Sequence, residues 1–171
     1  MTRIHSIEVP AHSLLKRYVA SGAYVDCYVT EISASASHAQ FVEAFYTTPL
    51  FKLERWLLGL LISRPSTDRE AGQLARGELS SFAAWRVESR APNEVLLAAG
   101  RTRSWLMVSS SVEHHAGGTR LMFGSVVVPE RSAKPGRHGI GAGFRALLGF
   151  HQLYSRALLQ SARARLSRQA T

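Results

Sequence analysis

Asp26 is the residue whose surroundings point most directly to chemistry. It stands in the run Tyr24-Val25-Asp26-Cys27-Tyr28. Strand alternation puts the carboxylate and both phenols on one face. A carboxylate among aromatic rings loses water, which disfavours its charged form unless a cation or hydrogen-bond donors hold it ionised. General acids and bases are made this way. The structural alternative is an ion pair with an arginine of a neighbouring strand, such as Arg103, or simple exposure. His151 and Ser155 form a second candidate pair, one helical turn apart on an apolar stripe, with Tyr154 at the stripe's edge. Few polar groups on an apolar lining are what orient a bound small molecule. A lone histidine on such a face also serves as a hydrogen-bonded core residue.

Trp85, Trp105 and Met107 are large groups on strand faces, and Arg103 shares a face with Trp105 and Met107. An arginine there could hold a ligand carboxylate through paired hydrogen bonds. Core packing for the large groups and a solvated rim for Arg103 is the competing account. Other motifs carry less. Glu113-His114-His115 lacks a further ligand motif and reads as a surface hairpin, so no metal is expected. Gly139-Ile140-Gly141-Ala142-Gly143 precedes a helix but has neither a Walker lysine nor dinucleotide spacing, and no cofactor is expected. Cys27 reads as a small buried hydrophobe.

These residues need elements to position them. Pro10 opens a short helical stretch with Leu14, Leu15, Tyr18 and Val19 on its apolar side, ended by Gly22. Tyr24 to Ile32 is a strand by composition. Ser37 is an N-cap for a helix from His38, and Pro49 restarts a helix that is apolar almost all round to Ile62. The polar stretch Ser63 to Gly77 reads as a loop with at most one helical turn. Ser81 to Arg90 alternates, with Ala83, Trp85 and Val87 on one face and Arg86, Glu88 and Arg90 on the other. Strands over Glu94–Ala99, Thr102–Glu113 and Thr119–Val128 follow, joined by short turns at Pro92-Asn93, Gly100 and His114–Gly118. Short connections imply an antiparallel meander. A helix from about Ile140 to Arg168 closes the chain. Phe144, Leu147, Leu148, Leu158, Leu159, Ala162 and Leu166 form its stripe, with Arg145, Arg156 and Arg163 opposite.

The whole is an α+β arrangement, an antiparallel sheet curled around a long C-terminal helix with two shorter helices after the first strand. Residues 1–171 are read as a single domain in which 1–22 form an N-terminal extension with a short helix. The order of elements resembles the helix-grip fold of the START, Bet v 1 and polyketide-cyclase superfamily (SRPBCC). The resemblance rests on Tyr24–Tyr28, the meander from Ser81 to Val128, and Phe150-His151-Gln152-Leu153-Tyr154-Ser155-Arg156-Ala157-Leu158-Leu159. The chain is similar to an uncharacterised bacterial branch of that superfamily over about residues 20–168. The resemblance implies a cavity between sheet and C-terminal helix that holds a lipid, polyketide, sterol or other apolar molecule. It implies no particular reaction.

Composition limits the classes further. Of 171 residues, 46% are apolar and 19% charged, a globular balance. No apolar run approaches the roughly 20 residues of a membrane span. One cysteine excludes an internal disulfide, and a cytoplasmic home is expected. Nearly all of the net charge of +9 lies in residues 131–171, which carry basic groups and no acidic one. A cationic helix end offsets the helix dipole. No reading motif accompanies the basic stretch, so nucleic acid is not an expected partner. The leading expectation is a binding module for an apolar small molecule that uses Tyr24, Asp26, Tyr28, Trp85, Arg103, Trp105, Met107, His151, Tyr154 and Ser155. The alternatives are a cyclase- or hydratase-type enzyme using Asp26 and His151, and an interaction protein whose helix Leu50–Ile62 pairs with a second copy or a membrane surface.

Overall fold

The structure is a computed structural model that describes residues 3–62, 66–111, 117–128 and 142–169. For 54, 57–62, 142–148 and 150 it describes the backbone alone. The elements run β1 (His5–Ser6), α1 (Lys16–Ala20), β2 (Tyr24–Ile32), α2 (His38–Tyr46), α3 (Pro49–Ile62) and α4 (Asp68–Ala75). They continue with β3 (Ser81–Phe82), β4 (Trp85–Ala91), β5 (Glu94–Ala99), β6 (Thr102–Ser110), β7 (Thr119–Val127) and α5 (Ala142–Gln169). The described strands form one antiparallel sheet in the order β1-β2-β7-β6-β5-β4-β3. The chain is thus α+β, with the C-terminal helix packed on the sheet.

Period two assigns the two faces of the sheet. Tyr28, Ile32, Leu106, Leu121 and Phe123 turn toward the helices, where they meet Phe41, Phe45, Leu158, Leu159 and Leu166. Phe45 and Phe123 stack with centroids 4.8 Å apart. The opposite face carries Cys27, Val29, Leu96, Trp105 and Met122, and Leu15 of the N-terminal segment covers it. Glu94 fastens that cover. Its buried carboxylate accepts hydrogen bonds from Trp105 Nε1 at 2.6 Å and from the Leu14 amide at 2.9 Å. Gly124 permits the close approach, since a Cβ there would stand 2.5 Å from Leu15 Cδ2.

Local chemistry explains the helices. Ser37 and Gln40 form a reciprocal capping box at α2, as Thr67 and Glu70 do at α4. The polar stretch after α3 is therefore not a loop: residues 68–75 are helical, with Ala71, Leu74 and Ala75 buried. Buried Arg55 ties α3 to α4 by donating to Asp68 Oδ1 at 3.1 Å and Ser66 O at 3.0 Å. The alternating run Ser81–Arg90 is also not one strand. It folds back at Ala83-Ala84, where Ala83 takes φ 51°, the positive φ that a two-residue hairpin turn demands. The N-terminal helix is shorter than its composition suggests, five residues at Lys16–Ala20. On α3, Leu53 and Trp56 remain 55% and 61% exposed. Among the described residues, no helix is long and apolar enough to cross a membrane.

Candidate functional site

Asp26 and Ser125 are directly opposed across the β2–β7 ladder, on the face that α5 covers. Ser125 donates twice to Asp26 Oδ1, from its amide at 3.1 Å and its hydroxyl at 2.5 Å. His151, one turn before buried Ser155 on α5, brings Nε2 to 2.6 Å from the same hydroxyl. That nitrogen lies 3.8 Å from Asp26 Oδ2. The Asp26 side chain is only 8% exposed and that of His151 29%. Two ionisable side chains bridged by one hydroxyl at the seam of an apolar core are the arrangement that needs an explanation.

Asp26 also opens onto a cleft of about 630 Å³ along the outer edge of β2. Tyr24 and Tyr28 share its wall with Gln152 and Arg156 of α5, while Ile7, Val9 and Val19 of the N-terminal segment face them. Gln152 Nε2 donates to the Tyr24 hydroxyl at 3.0 Å. The Arg156 guanidinium lies 5.1 Å over the Tyr28 ring. Burial pushes the pKa of the Tyr24 phenol up from its usual value. Burial, with Asp26 next, pushes Tyr28 up to about 12. Both phenols therefore stay protonated and able to donate at neutral pH. Cys27 is buried and pushed up to about 12, chiefly by desolvation, so it is a thiol and not a thiolate.

The remaining residues singled out by sequence are elsewhere. Arg103, Trp105 and Met107 lie on the opposite face of the sheet, away from Asp26 and α5. Trp105 is fully buried under the N-terminal segment. Arg103 pairs with Glu88 at 2.5 Å and donates to the Tyr18 hydroxyl at 2.9 Å, so it is not the partner of Asp26. Trp85 is packed against Phe51 and Tyr46 in the helix-side core. Tyr154 is half-buried against that core. The motifs at 113–115 and 139–141, and the side chains of Phe144, Arg145, Leu147 and Leu148, lie outside the described residues. Sequence reading missed Ser125, Gln152 and Lys16. Ser125 shares the alternation of Leu121 and Phe123, but only the strand register puts it opposite Asp26.

A second, wider groove of about 1350 Å³ lies between the start of α2 and the β4–β5 and β6–β7 turns. It contains buried His38, whose Nε2 lies 3.3 Å from Leu106 O. Desolvation lowers its ionisation to about 4, and nearby Arg90 adds to this.

No protein-family model matches the chain. No curated protein matches it. Among solved structures it is similar to a conserved protein of unknown function, EF2215 from Enterococcus faecalis. The two share 17% identity over 82% of this chain and 77% of that one, with a TM-score of 0.35. It is also similar to CalU16 from Micromonospora echinospora, at 13% identity over 96% of this chain and 92% of that one, with a TM-score of 0.32.

Proposed function

We propose that the chain binds an apolar small molecule with one polar end, in the cleft between the β2 edge, the N-terminal segment and α5. The observation that carries this reading is the cleft itself. Its size of about 630 Å³ falls in the usual range for small-molecule sites. Its wall combines aliphatic side chains with polar and charged ones, among them Glu8, Lys16, Asp26, Gln152 and Arg156. Membership of the START and Bet v 1-like superfamily, and a cytoplasmic setting, belong to the same proposal. The order of elements supports the first and the single cysteine the second.

Fluorescence titration with 1-anilinonaphthalene-8-sulfonate tests the reading. Saturable binding that is lost in Ala23→Trp, a change that fills the cleft, is the expected result. Circular dichroism checks that the variant folds. Undiminished binding in the folded variant would remove the cleft as the site.

One observation favours a second reading, acid–base catalysis of the cyclase or hydratase type. Asp26 and His151 share one side of the sheet and are bridged by one hydroxyl. The exposure of Leu53 and Trp56 supports a further contact of α3 with a second copy or a membrane surface.

A further inference from the structure

We infer that Ser125 joins Asp26 and His151 into a proton relay that loads the carboxyl of the cleft for an anionic ligand oxygen. This rests on the cleft being the binding site. Hydrogen counting fixes the direction of each bond. A serine hydroxyl has one hydrogen and two lone pairs. Ser125 Oγ stands 2.5 Å from Asp26 Oδ1 and 2.6 Å from His151 Nε2. An ionised Asp26 has no hydrogen to give, so Ser125 donates to it. The hydroxyl then offers only lone pairs to His151, and Nε2 must carry the hydrogen. The neutral ring is thereby held as the Nε2–H tautomer with a lone pair on Nδ1. Among the described residues, nothing hydrogen-bonds to Nδ1, and the side chain is partly exposed.

A proton reaching Nδ1 from solvent need not leave a cation beside the sheet. The Nε2 hydrogen passes to Ser125 Oγ as the Ser125 hydrogen passes to Asp26 Oδ1. The products are a neutral carboxyl and an Nδ1–H imidazole, with each bond broken replaced by one formed and a single proton gained. Asp26 shares the cleft with Glu8, Lys16 and Arg156. With Asp26 ionised these four formal charges cancel. With it neutral, one positive charge is left over, which suits one oxyanion. The tyrosines add none, since both phenols stay protonated. The ligand class is an apolar body ending in a carboxylate or similar oxyanion, taken up together with one proton.

Histidine ¹⁵N NMR at a pH where the ring is neutral tests the relay without any ligand. Wild-type His151 is expected as the Nε2–H tautomer. Asp26→Ala, which removes the oxygen that accepts from the hydroxyl, is expected to free the hydroxyl to donate to Nε2, so that the Nδ1–H tautomer appears. Ser125→Ala should give the mixture of a solvated ring, while Ser125→Thr keeps the wild-type pattern. A wild-type Nδ1–H ring, or one pattern unchanged across Ser125→Ala and Asp26→Ala, overturns the relay. The wild-type reading alone decides if the variants fail to fold.

Calorimetric titration of dodecanoate in two buffers of different ionisation heat tests the ligand class. Uptake of about one proton, lost in Asp26→Asn, is expected. Binding without uptake, or no binding, overturns it. The two failures are separable. An Nε2–H ring beside a cleft that binds nothing removes the binding reading, and binding with the wrong tautomer removes the relay.

Discussion

His38 makes the stability of this fold depend on pH in a way that one substitution can isolate. It is the first residue of α2 and 9% exposed, with its ring against the Leu106 carbonyl. Desolvation lowers its ionisation from 6.5 to about 4. The positive end of the helix acts in the same direction. The unfolded chain therefore takes up a proton at pH values where the folded one does not. Stability is fully present above about 6.5, falls as the pH drops through that value, and levels off below about 4. Each pH unit inside the window is worth about 1.4 kcal/mol, so His38 alone costs about 2 kcal/mol at pH 5. Urea denaturation of wild type and His38→Gln, at pH 7.5 and pH 5, measures this. Glutamine keeps a neutral donor for Leu106, and the other titrating groups are common to both chains. The stability difference between the two should shift by about 2 kcal/mol in favour of the variant on acidification. A difference that stays constant between the two pH values would refute a neutral, buried His38.

Three further substitutions probe the packing that positions the cleft. Gly124→Ala drives a methyl into Leu15 at 2.5 Å, and should cost about 1–3 kcal/mol in thermal denaturation, with faster proteolysis of the N-terminal segment. Glu94→Ala strands the buried Trp105 indole N–H and frees the half-buried Leu14 amide, at about 1–3 kcal/mol for the buried group left unpaired. Its signature in urea denaturation should be accompanied by a red shift of tryptophan emission. Leu159→Ala opens a void where α5 meets the sheet, and should lower the denaturation midpoint by an amount equivalent to about 2–5 kcal/mol.

Much of the architecture is legible in the residues, because period two and period 3.6 are strong signals where one side is buried. Tyr24–Ile32 and the Ser37 cap are found where the sequence puts them. The failures have particular causes. Thr67 and Glu70 have the spacing of a capping box, but the mostly polar exterior of α4, and Gly72 inside it, disguised a short helix with one buried stripe. The turn at Ala83-Ala84 contains no glycine or asparagine to announce positive φ. The alternation of Trp85 therefore read straight through it. For the site, alternation placed Tyr24, Asp26 and Tyr28 together, and helical spacing placed His151. What it could not give was which face the N-terminal segment would cover. The register aligns Ser104 with Ser125 and so with Asp26, which turns Arg103, Trp105 and Met107 to the face that segment covers. Nor could it give the register that sets Ser125 opposite Asp26.

The most direct test of the cleft is a map of backbone amide shifts in a ¹H–¹⁵N spectrum as dodecanoate is added. Shifts concentrated on Tyr24–Tyr28, Val9, Gln152 and Arg156 are the predicted result. Shifts confined to the groove of His38, Arg90 and Ser109–Ser111, with the β2 edge unmoved, would contradict it.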